Sequence, residues 1–578
     1  MGLIDLFLRH LLDHLFLRDG RIGITSDRGK DIPHISPDQV RFGHAPTDFV
    51  IPSNSRLRPW MPFQRRAQIP FKRADIVALD AQTRGVHHTN QFFGFRISGS
   101  RRWQQFLHCV GVSSLIHEVS GGFDLSNGRA GNQQGQAKGK AFHIISSVLA
   151  LAGAPAYASG LPEPLQPSDF HPVDEKQAQL GQLLFFDPIL SGNQNISCAT
   201  CHNPDHGGAD ALSLGIGEGG DGVGPDRTAG QGADRIKKRI PRNAPALWNL
   251  GAKEIDTMFY DGRVSHSDIY ENGFDTPAQE WLPEGLSGIL AVQALFPMTS
   301  QFEMAGDPSE NQIAGAVYDR VDYVWPIVAK RVRIIPEYAT LFQNAFDDVN
   351  SPLDITITHI TNAISAFENF EFRSYDSPFD SFLGGDTFAL NDMQTAGLEL
   401  FYGKAGCSMC HSGPLLTDQD FYALMLPHFG PGRTRQWDTI VRDVGRMTAS
   451  DRLEDAYRFR TPSLRNVALT GPYGHNGAYP TLEGIVRHHL DPEESFANWT
   501  PELADLPSAE WLEAADFLSF QDKFERQRLA SRSDIEPVVL SDKEVDQIVA
   551  FLHSLTGTQS VKGRLGRPAS VPSGMEID

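Results

Sequence analysis

The chain has 578 residues, of which 40% are hydrophobic and 21% are charged, enough for two or three globular domains. Its formal net charge of −20 argues against nucleic acid as a partner, because nucleic acid selects basic surfaces. No stretch approaches about 18 uninterrupted apolar residues, so we predict no membrane span. Five cysteines are too few for a disulfide scaffold.

Residues 1–136 differ from the rest of the chain in charge. They hold 17 Lys and Arg against 11 Asp and Glu, a net charge of +6, so residues 137–578 carry −26. Apart from a leucine-rich run at the start, their apolar residues show no sustained period. We interpret 1–136 as a spurious extension, from a start codon assigned too early, or as a disordered one. A genuine additional domain stays open.

Residues 137–158 have the pattern of a secretory signal peptide. Basic residues Lys138 and Lys140 precede a mostly apolar stretch, 141–154, and the small-x-small cleavage pattern follows at 156–158. A buried core helix is the alternative interpretation. The pattern predicts export to the periplasm, with all cysteine–histidine motifs downstream of the cleavage site.

The sequence contains CxxCH twice. The residues are Cys198, Cys201 and His202, then Cys407, Cys410 and His411. Two CxxC pairs could form one four-cysteine zinc site, but that leaves the histidine after each pair unexplained. Covalent attachment of haem c explains both cysteines and the histidine of each motif. Each thiol adds to a vinyl group of the haem, and the adjacent imidazole becomes the proximal iron ligand. We therefore predict two covalently bound haem c groups.

Helices are predicted on either side of these motifs. The first, within 175–188, places three leucines on one face before Pro188 ends it: Leu180, Leu183 and Leu184. The last begins with a Ser541–Glu544 capping box and ends at Gly557. Its apolar face consists of Val545, Ile548, Leu552 and Leu555. A helix, CxxCH, loops and a closing amphipathic helix are the plan of a cytochrome c domain.

From about residue 173 to 557, the chain resembles the bacterial di-haem cytochrome c peroxidases and the related MauG-type enzymes. Strings that carry the resemblance include "RNAPALWNLG", "FYDGR", "GLELFYGKAGCSMCHSGPLLTD" and "FRTPSLRNVALTGPYGHNGAYPTLEGIV". The resemblance implies a mostly α fold with two cytochrome c-like haem domains, packed side by side, with long loops. We place a peroxidatic domain at 165–375, an electron-transfer domain at 376–560 and a flexible tail at 561–578.

The resemblance also implies residues beside the first haem. Peroxide needs an open iron position and a base that moves a proton from the near oxygen to the far one. The family uses a Glu with a Gln ten residues earlier and a proline between them. Here Gln293, Pro297 and Glu303 have that spacing. A Glu in a loop is otherwise usually a solvated side chain.

Two residues depart from the pattern of the ordinary peroxidases. The ordinary peroxidases carry a gating histidine sixteen residues after the first CxxCH histidine. At that spacing this chain has Glu218, which lies in a glycine-rich insertion. If that alignment holds, the gate is missing, as in MauG-type enzymes. The family's tryptophan between the haems is replaced by Tyr260, which can relay an oxidising equivalent or simply pack in the core.

The second haem takes its distal ligand from the helix after "TLE", where the peroxidases have Met and MauG has Tyr. This chain has His489 there, with His488 beside it. A His/His iron should have a lower potential than a His/Met iron. The resemblance further implies one calcium ion, held by Asn243 and the carbonyls of Thr470 and Pro472, and hard oxygen ligands suit it.

These residues predict an exported enzyme that reduces hydrogen peroxide with electrons from a small periplasmic donor, a cytochrome c or a cupredoxin. One alternative is a MauG-like enzyme that uses peroxide to oxidise residues on a partner protein. The other is a plain electron carrier, which needs no distal base such as Glu303. The oligomeric state stays open, with a homodimer the form that the resemblance favours.

Overall fold

The structure is a computed structural model that describes residues 160–435, 438 and 440–578. The predicted extension at 1–136 and the predicted signal peptide at 137–158 lie outside the described residues. Within those described residues, no helix has both the length and the apolar character that crossing a bilayer requires.

The described residues are rich in helix and contain little sheet, as the sequence predicts. The α-helices are α1 Glu175–Phe186, α2 Cys198–Cys201, α3 Ile289–Gln293, α4 Gln312–Asp319, α5 Val324–Arg333, α6 Pro336–Ala345, α7 Ile357–Glu371, α8 Pro378–Leu383, α9 Asp392–Tyr402, α10 Met447–Ser450, α11 Leu482–Leu490, α12 Pro492–Asn498, α13 Glu510–Asp516, α14 Leu518–Gln521, α15 Lys523–Ala530, α16 Asp542–His553 and α17 Thr558–Lys562. The strands are β1 Thr257–Met258, β2 Val264–His266, β3 Phe274–Asp275, β4 Phe421–Tyr422 and β5 Phe459–Arg460. β1, β2 and β3 form one antiparallel sheet in that order, and β4 pairs antiparallel with β5.

The buried apolar residues form two principal clusters. The first draws on residues between 165 and 372, joined by Leu415 and Val571. The second lies between 379 and 555. Two smaller clusters combine residues from both ranges: Leu214 and Trp499, for example, belong to the same cluster. The division at 375/376 and the side-by-side packing of two haem domains remain predictions.

A helix precedes each CxxCH motif. In both cases a glycine in that helix lets it pack closely across a partner helix. In α1, a Cβ on Gly181 would lie 1.9 Å from the carbonyl oxygen of Ala363 in α7. In α9, a Cβ on Gly397 would lie 1.9 Å from the carbonyl oxygen of Gln547 in α16. Because only a residue without a Cβ permits this approach, the same packing solution occurs before both motifs.

The closing helix α16 has the predicted start but an earlier end. The Ser541 hydroxyl and the Glu544 carboxylate form the predicted capping box. The helix ends at His553 rather than at Gly557. Gly557 instead donates its backbone N–H to Asn466 Oδ1 at 2.8 Å, and this contact holds the chain outside the helix.

The sequence predicts a flexible tail at 561–578, but the structure shows this C-terminal segment packed on the first cluster. Val571 is buried there. The buried carboxylate of Glu371, at the end of α7, accepts the backbone N–H groups of residues 564–566 at 2.6–3.3 Å. The segment has few apolar residues, so its composition does not reveal that one buried carboxylate binds its backbone.

Candidate active site

The first CxxCH motif forms the short helix α2 and ends at His202. The His202 Nδ1 lies 3.0 Å from the carbonyl oxygen of Gly208. Because a carbonyl can only accept, Nδ1 carries the proton and Nε2 is the basic nitrogen. Burial lowers the pKa of His202, which favours the neutral ring. A metal-ligating histidine usually has this orientation, with its second nitrogen bonded to a carbonyl or carboxylate.

The second CxxCH motif repeats this arrangement. His411 Nδ1 donates to the carbonyl oxygen of Leu416 at 3.1 Å, again leaving Nε2 as the basic nitrogen. Burial and, to a smaller extent, the charge of His489 lower the pKa of His411 to about 4. Both motifs therefore present a neutral imidazole oriented by a backbone carbonyl.

The cysteines of the motifs lie beside these rings. Cys198, Cys201 and Cys407 are half-buried, and burial raises the pKa of each thiol to about 12. Each motif thus places two thiols beside an imidazole with a basic Nε2. This donor set fits a covalently attached haem at both positions.

His488 and His489 have different surroundings although they are adjacent in α11. His488 is fully buried, and its two nitrogens contact the Tyr479 hydroxyl at 2.9 Å and the Leu424 carbonyl at 2.7 Å. His489 uses only Nδ1 in this way, donating to the Ile485 carbonyl at 2.8 Å. The Nε2 of His489 is therefore the nitrogen open to a metal, whereas both His488 nitrogens are occupied.

The His489 ring lies opposite the ring of His411. Their ring centroids are 6.5 Å apart and their planes are inclined by 58°. Two imidazoles that share one metal ion through bonds of about 2 Å place their ring centres roughly 6 to 6.5 Å apart. The spacing of these two rings thus fits a shared iron.

Glu303 lies on a one-turn π-helix, Gln301–Ala305, which we call the π-turn. The Ala305 N–H donates to the Ser300 carbonyl at 2.9 Å, five residues earlier. The Cys201 thiol lies 4.0 Å from the Ile216 carbonyl oxygen, and Glu218, two residues after Ile216, donates its N–H to the Glu303 carbonyl at 3.0 Å, so the π-turn lies near the first motif. Single π-helical turns of this kind are frequent at functional sites.

Gln293 and Pro297 belong to the segment that leads into the π-turn. Gln293 ends α3, and its carbonyl accepts the Phe296 N–H at 3.1 Å. Pro297 begins a 3₁₀-helix that ends at Thr299, one residue before the π-turn's cap. Both side chains are half-buried, so the structure places all three predicted distal residues in one continuous, folded segment.

Glu218 lies against the π-turn through its backbone. Its N–H donates to the carbonyl oxygen of Glu303 at 3.0 Å. Its carboxylate accepts the side-chain amides of Asn193 at 2.8 Å and Asn195 at 2.9 Å. These groups line a surface cleft of about 310 Å³ that Lys237 also borders. The Glu218 carboxylate is therefore held by two amides at the edge of this cleft.

Tyr260 and Asn243 contact each other, although the sequence assigns them separate roles. The Tyr260 hydroxyl lies 3.5 Å from Asn243 Oδ1, and burial raises the pKa of Tyr260 to about 12. The Asn243 amide donates to the Leu212 carbonyl at 2.8 Å. The Tyr260 carbonyl accepts the Arg460 N–H at 2.8 Å, which ties it to β5.

The other predicted calcium ligands lie near the loop that Asn243 contacts. The Asn243 N–H donates to the His475 carbonyl at 2.9 Å, three residues after Pro472. The Thr470 hydroxyl donates to the Val467 carbonyl at 3.1 Å, so this side chain is engaged locally. Asn243 is thus next to the loop that follows Thr470 and Pro472, and the calcium site remains a prediction.

A buried ion-pair cluster fixes these residues, and the sequence pattern does not predict it. The Arg242 guanidinium binds Asp443 through two bonds of 2.8 Å and Asp261 through one of 2.8 Å. Burial alone would raise the pKa of Asp261, but Arg263 and Arg242 hold it well below its usual range. Because Arg242 precedes Asn243 and Asp261 follows Tyr260, the cluster holds both neighbours in place.

Known proteins and one family model are similar to parts of this chain. The family model for di-haem cytochrome c peroxidase matches residues 175–388. The methylamine utilization protein MauG of Methylorubrum extorquens is 29% identical, over 62% of this chain and 81% of MauG. The cytochrome c551 peroxidase of Pseudomonas aeruginosa is 31% identical, over 58% and 77% respectively. A crystal structure of a MauG-like protein associated with microbial copper homeostasis matches with a TM-score of 0.46 and 25% identity, over 69% of this chain and 95% of that one.

Proposed function

Because this chain belongs to the di-haem cytochrome c peroxidase family, an oxidoreductase family that uses peroxide, we propose that it reduces hydrogen peroxide to water in the periplasm. A small redox protein, a cytochrome c or a cupredoxin, supplies the electrons at the second CxxCH motif. Each hydrogen peroxide takes up two electrons and two protons and gives two water molecules. The observation that carries the proposal is that different groups accompany the two motif histidines: His411 faces His489, whereas the Glu303 π-turn lies close to the first motif.

Haem c, when bound, supplies an iron that can bind peroxide and exchange electrons. In the proposed assignment, His202 Nε2 would hold the first iron, and His411 and His489 would both hold the second. An iron held by both histidines would offer peroxide no open position, so the second motif is suited to electron transfer.

Glu303 moves the proton in this proposal. Its carboxylate takes the proton from the oxygen of peroxide nearer the iron and delivers it to the farther oxygen, which leaves as water. Gln293 and Pro297 shape the same side of the site. Tyr260 relays oxidising equivalents between the halves, and its raised pKa of about 12 means that its phenol keeps its proton at neutral pH. Asn243, with the Thr470 and Pro472 carbonyls, holds calcium beside it.

A MauG-like activity on a partner protein is the second candidate. The observation that favours it is Glu218, held by Asn193 and Asn195 at the position of the peroxidases' gating histidine. His489, rather than the methionine of the ordinary peroxidases, is the residue whose ring lies near His411, which points the same way. A plain electron carrier agrees less well with Glu303 close to the first motif.

An assay of the haem-loaded protein, exported by a host that attaches haem c, separates these functions. Rapid peroxide-dependent oxidation of reduced cytochrome c or cupredoxin supports the peroxidase. A peroxide-dependent spectral change without donor turnover, together with oxidised residues on a partner protein, supports the MauG-like enzyme. No reaction with peroxide supports the carrier. Amino-terminal sequencing of the exported protein tests the predicted start near Ser159, and a product that begins near Met1 contradicts it.

A further inference from the structure

The π-turn that carries Glu303 is held on two sides by backbone groups of other segments. The Gly192 N–H donates to the Met304 carbonyl at 2.7 Å. The Glu218 N–H donates to the Glu303 carbonyl at 3.0 Å. Carbonyls near the end of a helical turn have no partner within it, so these bonds satisfy groups that would otherwise lack one. The turn's position thus depends on segments before and after the first CxxCH motif.

Each of these contacts requires a glycine: Gly192 itself at the first, and Gly217, which precedes Glu218, at the second. The backbones there approach too closely for a side chain. A Cβ on Gly192 would lie 1.8 Å from the carbonyl oxygen of Ala305, and a Cβ on Gly217 would lie 1.9 Å from that of Phe302. Ordinary contacts of a Cβ begin at 3.4 Å, so either methyl group would push the turn by about 1.5 Å. The nearest obstructing atom at each glycine belongs to the backbone of the turn, so a shift of the neighbouring side chains alone does not relieve the clash.

Two arginines fix the glycine segments. Arg331 donates to the Ser191 carbonyl at 2.6 Å and to the Gly192 carbonyl at 3.1 Å. The buried Arg227 donates to the Ile216 carbonyl at 2.6 Å, and to the Gly217 carbonyl at 2.9 Å. Each segment is therefore held on one side by a guanidinium group and contacts the π-turn on the other.

We propose that Gly192 and Gly217 are positioning residues that set the location of the Glu303 carboxylate. The proposal rests on the function proposed above, in which Glu303 moves the proton between the peroxide oxygens. A displacement of about 1 Å in such a group can slow a reaction about a hundredfold. A methyl group at either glycine would displace the turn by more than that, without changing any group that touches peroxide.

The test compares Gly192→Ala and Gly217→Ala with Gly315→Ala as the control. Gly315 lies in α4, where a Cβ would make only an ordinary 3.5 Å contact with the Pro308 carbonyl. We expect the first two variants to retain the haem content and the absorption spectrum of the second haem. Their rate of reaction with peroxide should fall at least about tenfold, approaching the hundredfold of a misplaced group. The Gly315→Ala protein should react at the wild-type rate.

Combination with Glu303→Gln distinguishes positioning from a general structural effect. If the glycines act through Glu303, adding Gly217→Ala or Gly192→Ala to Glu303→Gln should cause no further loss. A loss that multiplies with that of Glu303→Gln would overturn the proposal. Wild-type rates in both alanine variants, with Glu303→Gln still slow, would also overturn it while leaving the proposed function intact. A normal rate in Glu303→Gln would remove the proposed function itself.

A gentler variant keeps the test decisive if the alanine variants do not accumulate. Arg331→Lys replaces a planar guanidinium that bonds two carbonyls with a point charge on a flexible chain. We expect a several-fold slower peroxide reaction with unchanged haem content, and again no additional loss in the Glu303→Gln background. An Arg331→Lys protein that reacts normally while its thermal midpoint falls would show that this clamp serves stability alone.

Discussion

The imidazoles of His411 and His489 face each other with 6.5 Å between their ring centroids, and each ring donates through Nδ1 to a backbone carbonyl. The adjacent His488 is instead turned into the core, where both of its nitrogens are hydrogen-bonded. Sequence alone offers two neighbouring histidines for one role. The geometry favours His489 because only its Nε2 is available on the side of His411.

Replacing each of these two histidines with alanine should therefore have different effects on the spin state of the second haem. In His489→Ala, we expect the second haem to become high-spin or water-bound, because its iron loses a strong ligand. In His488→Ala, the second haem should stay low-spin, while the loss of a buried ring and its hydrogen bonds lowers the free energy of unfolding by roughly 2 kcal/mol. Absorption and electron paramagnetic resonance spectra report the spin states. A high-spin second haem in His488→Ala alone would reverse the assignment.

Glu303→Gln tests the proposed proton transfer. The amide keeps a similar shape but cannot accept and return the proton, so the peroxide reaction should slow by at least about a hundredfold. Haem content and spectra should be unchanged, as stopped-flow absorption and haem quantification can establish. Glu337→Gln is the control, since Glu337 is exposed on α6 and should leave the rate unaltered. Wild-type kinetics in Glu303→Gln would show that another group moves the proton.

Much of this architecture is predictable from local patterns. The capping box at Ser541 and the apolar faces of α1 and α16 are short-range signals, and the structure confirms those helices. The CxxCH strings are equally local, and in the structure each motif histidine donates through Nδ1 to a backbone carbonyl. These features depend on residues a few positions apart, and a single sequence records them directly.

The supporting contacts could not be predicted because they join distant residues. Nothing near Gly217 in sequence indicates that its backbone lies against Phe302. Arg242 and Asp443 are 201 residues apart, and only the fold brings their charges together. The same reason explains why the packing of residues 561–578 is not evident from their composition: their main partner, Glu371, lies almost 200 residues earlier.

The contact of Glu371 with the C-terminal segment predicts a stability effect without an effect on the haem ligands. Glu371→Ala would leave the N–H groups of residues 564–566 without their acceptor. Since hydrogen bonds to a charged group contribute about 1.5–3 kcal/mol each, we expect a loss of roughly 3 kcal/mol in the free energy of unfolding. Chemical denaturation measures this, and limited proteolysis should now cut within 561–578. Unchanged stability and protease resistance would contradict the proposed role of Glu371.

Acid should destabilise the protein partly through His428. This ring is buried, and burial lowers its pKa below 6.5, an effect that Arg442 and Arg242 increase and that Asp443 and Glu525 oppose. The unfolded chain therefore binds a proton that the folded chain does not. The contribution of His428 to the free energy of unfolding is therefore fully present above about pH 6.5. It is lost as the pH falls below that value, because only the unfolded state then takes up the proton.

His428→Phe keeps an aromatic ring beside Tyr457 while removing the titrating group. The loss of stability on acidification is at most about 1.4 kcal/mol per pH unit for one such group. We therefore expect a shallower dependence of unfolding free energy on pH between 6.5 and the onset of acid unfolding. Parallel pH curves for wild type and variant would show that His428 does not contribute.

The resting protein should react with peroxide without prior reduction. The prediction rests on the alignment that puts Glu218 at the position of the ordinary peroxidases' gating imidazole. The Glu218 carboxylate is bound by Asn193 and Asn195. Arg227 holds the same loop through the carbonyls of Ile216 and Gly217. A carboxylate held in this way should not bind iron as firmly as an imidazole.

The fully oxidised protein should then contain one high-spin and one low-spin haem, the low-spin one held by His411 and His489. Mixing this oxidised protein with peroxide should change the high-spin signal at once, without added reductant. Glu218→Gln retains the side-chain shape and should preserve that immediate reaction, because the carboxylate charge is not required for an open position. An oxidised protein that is wholly low-spin and reacts only after one-electron reduction would show that a gate exists, and the loop from Glu218 to Arg242 would be where its ligand lies.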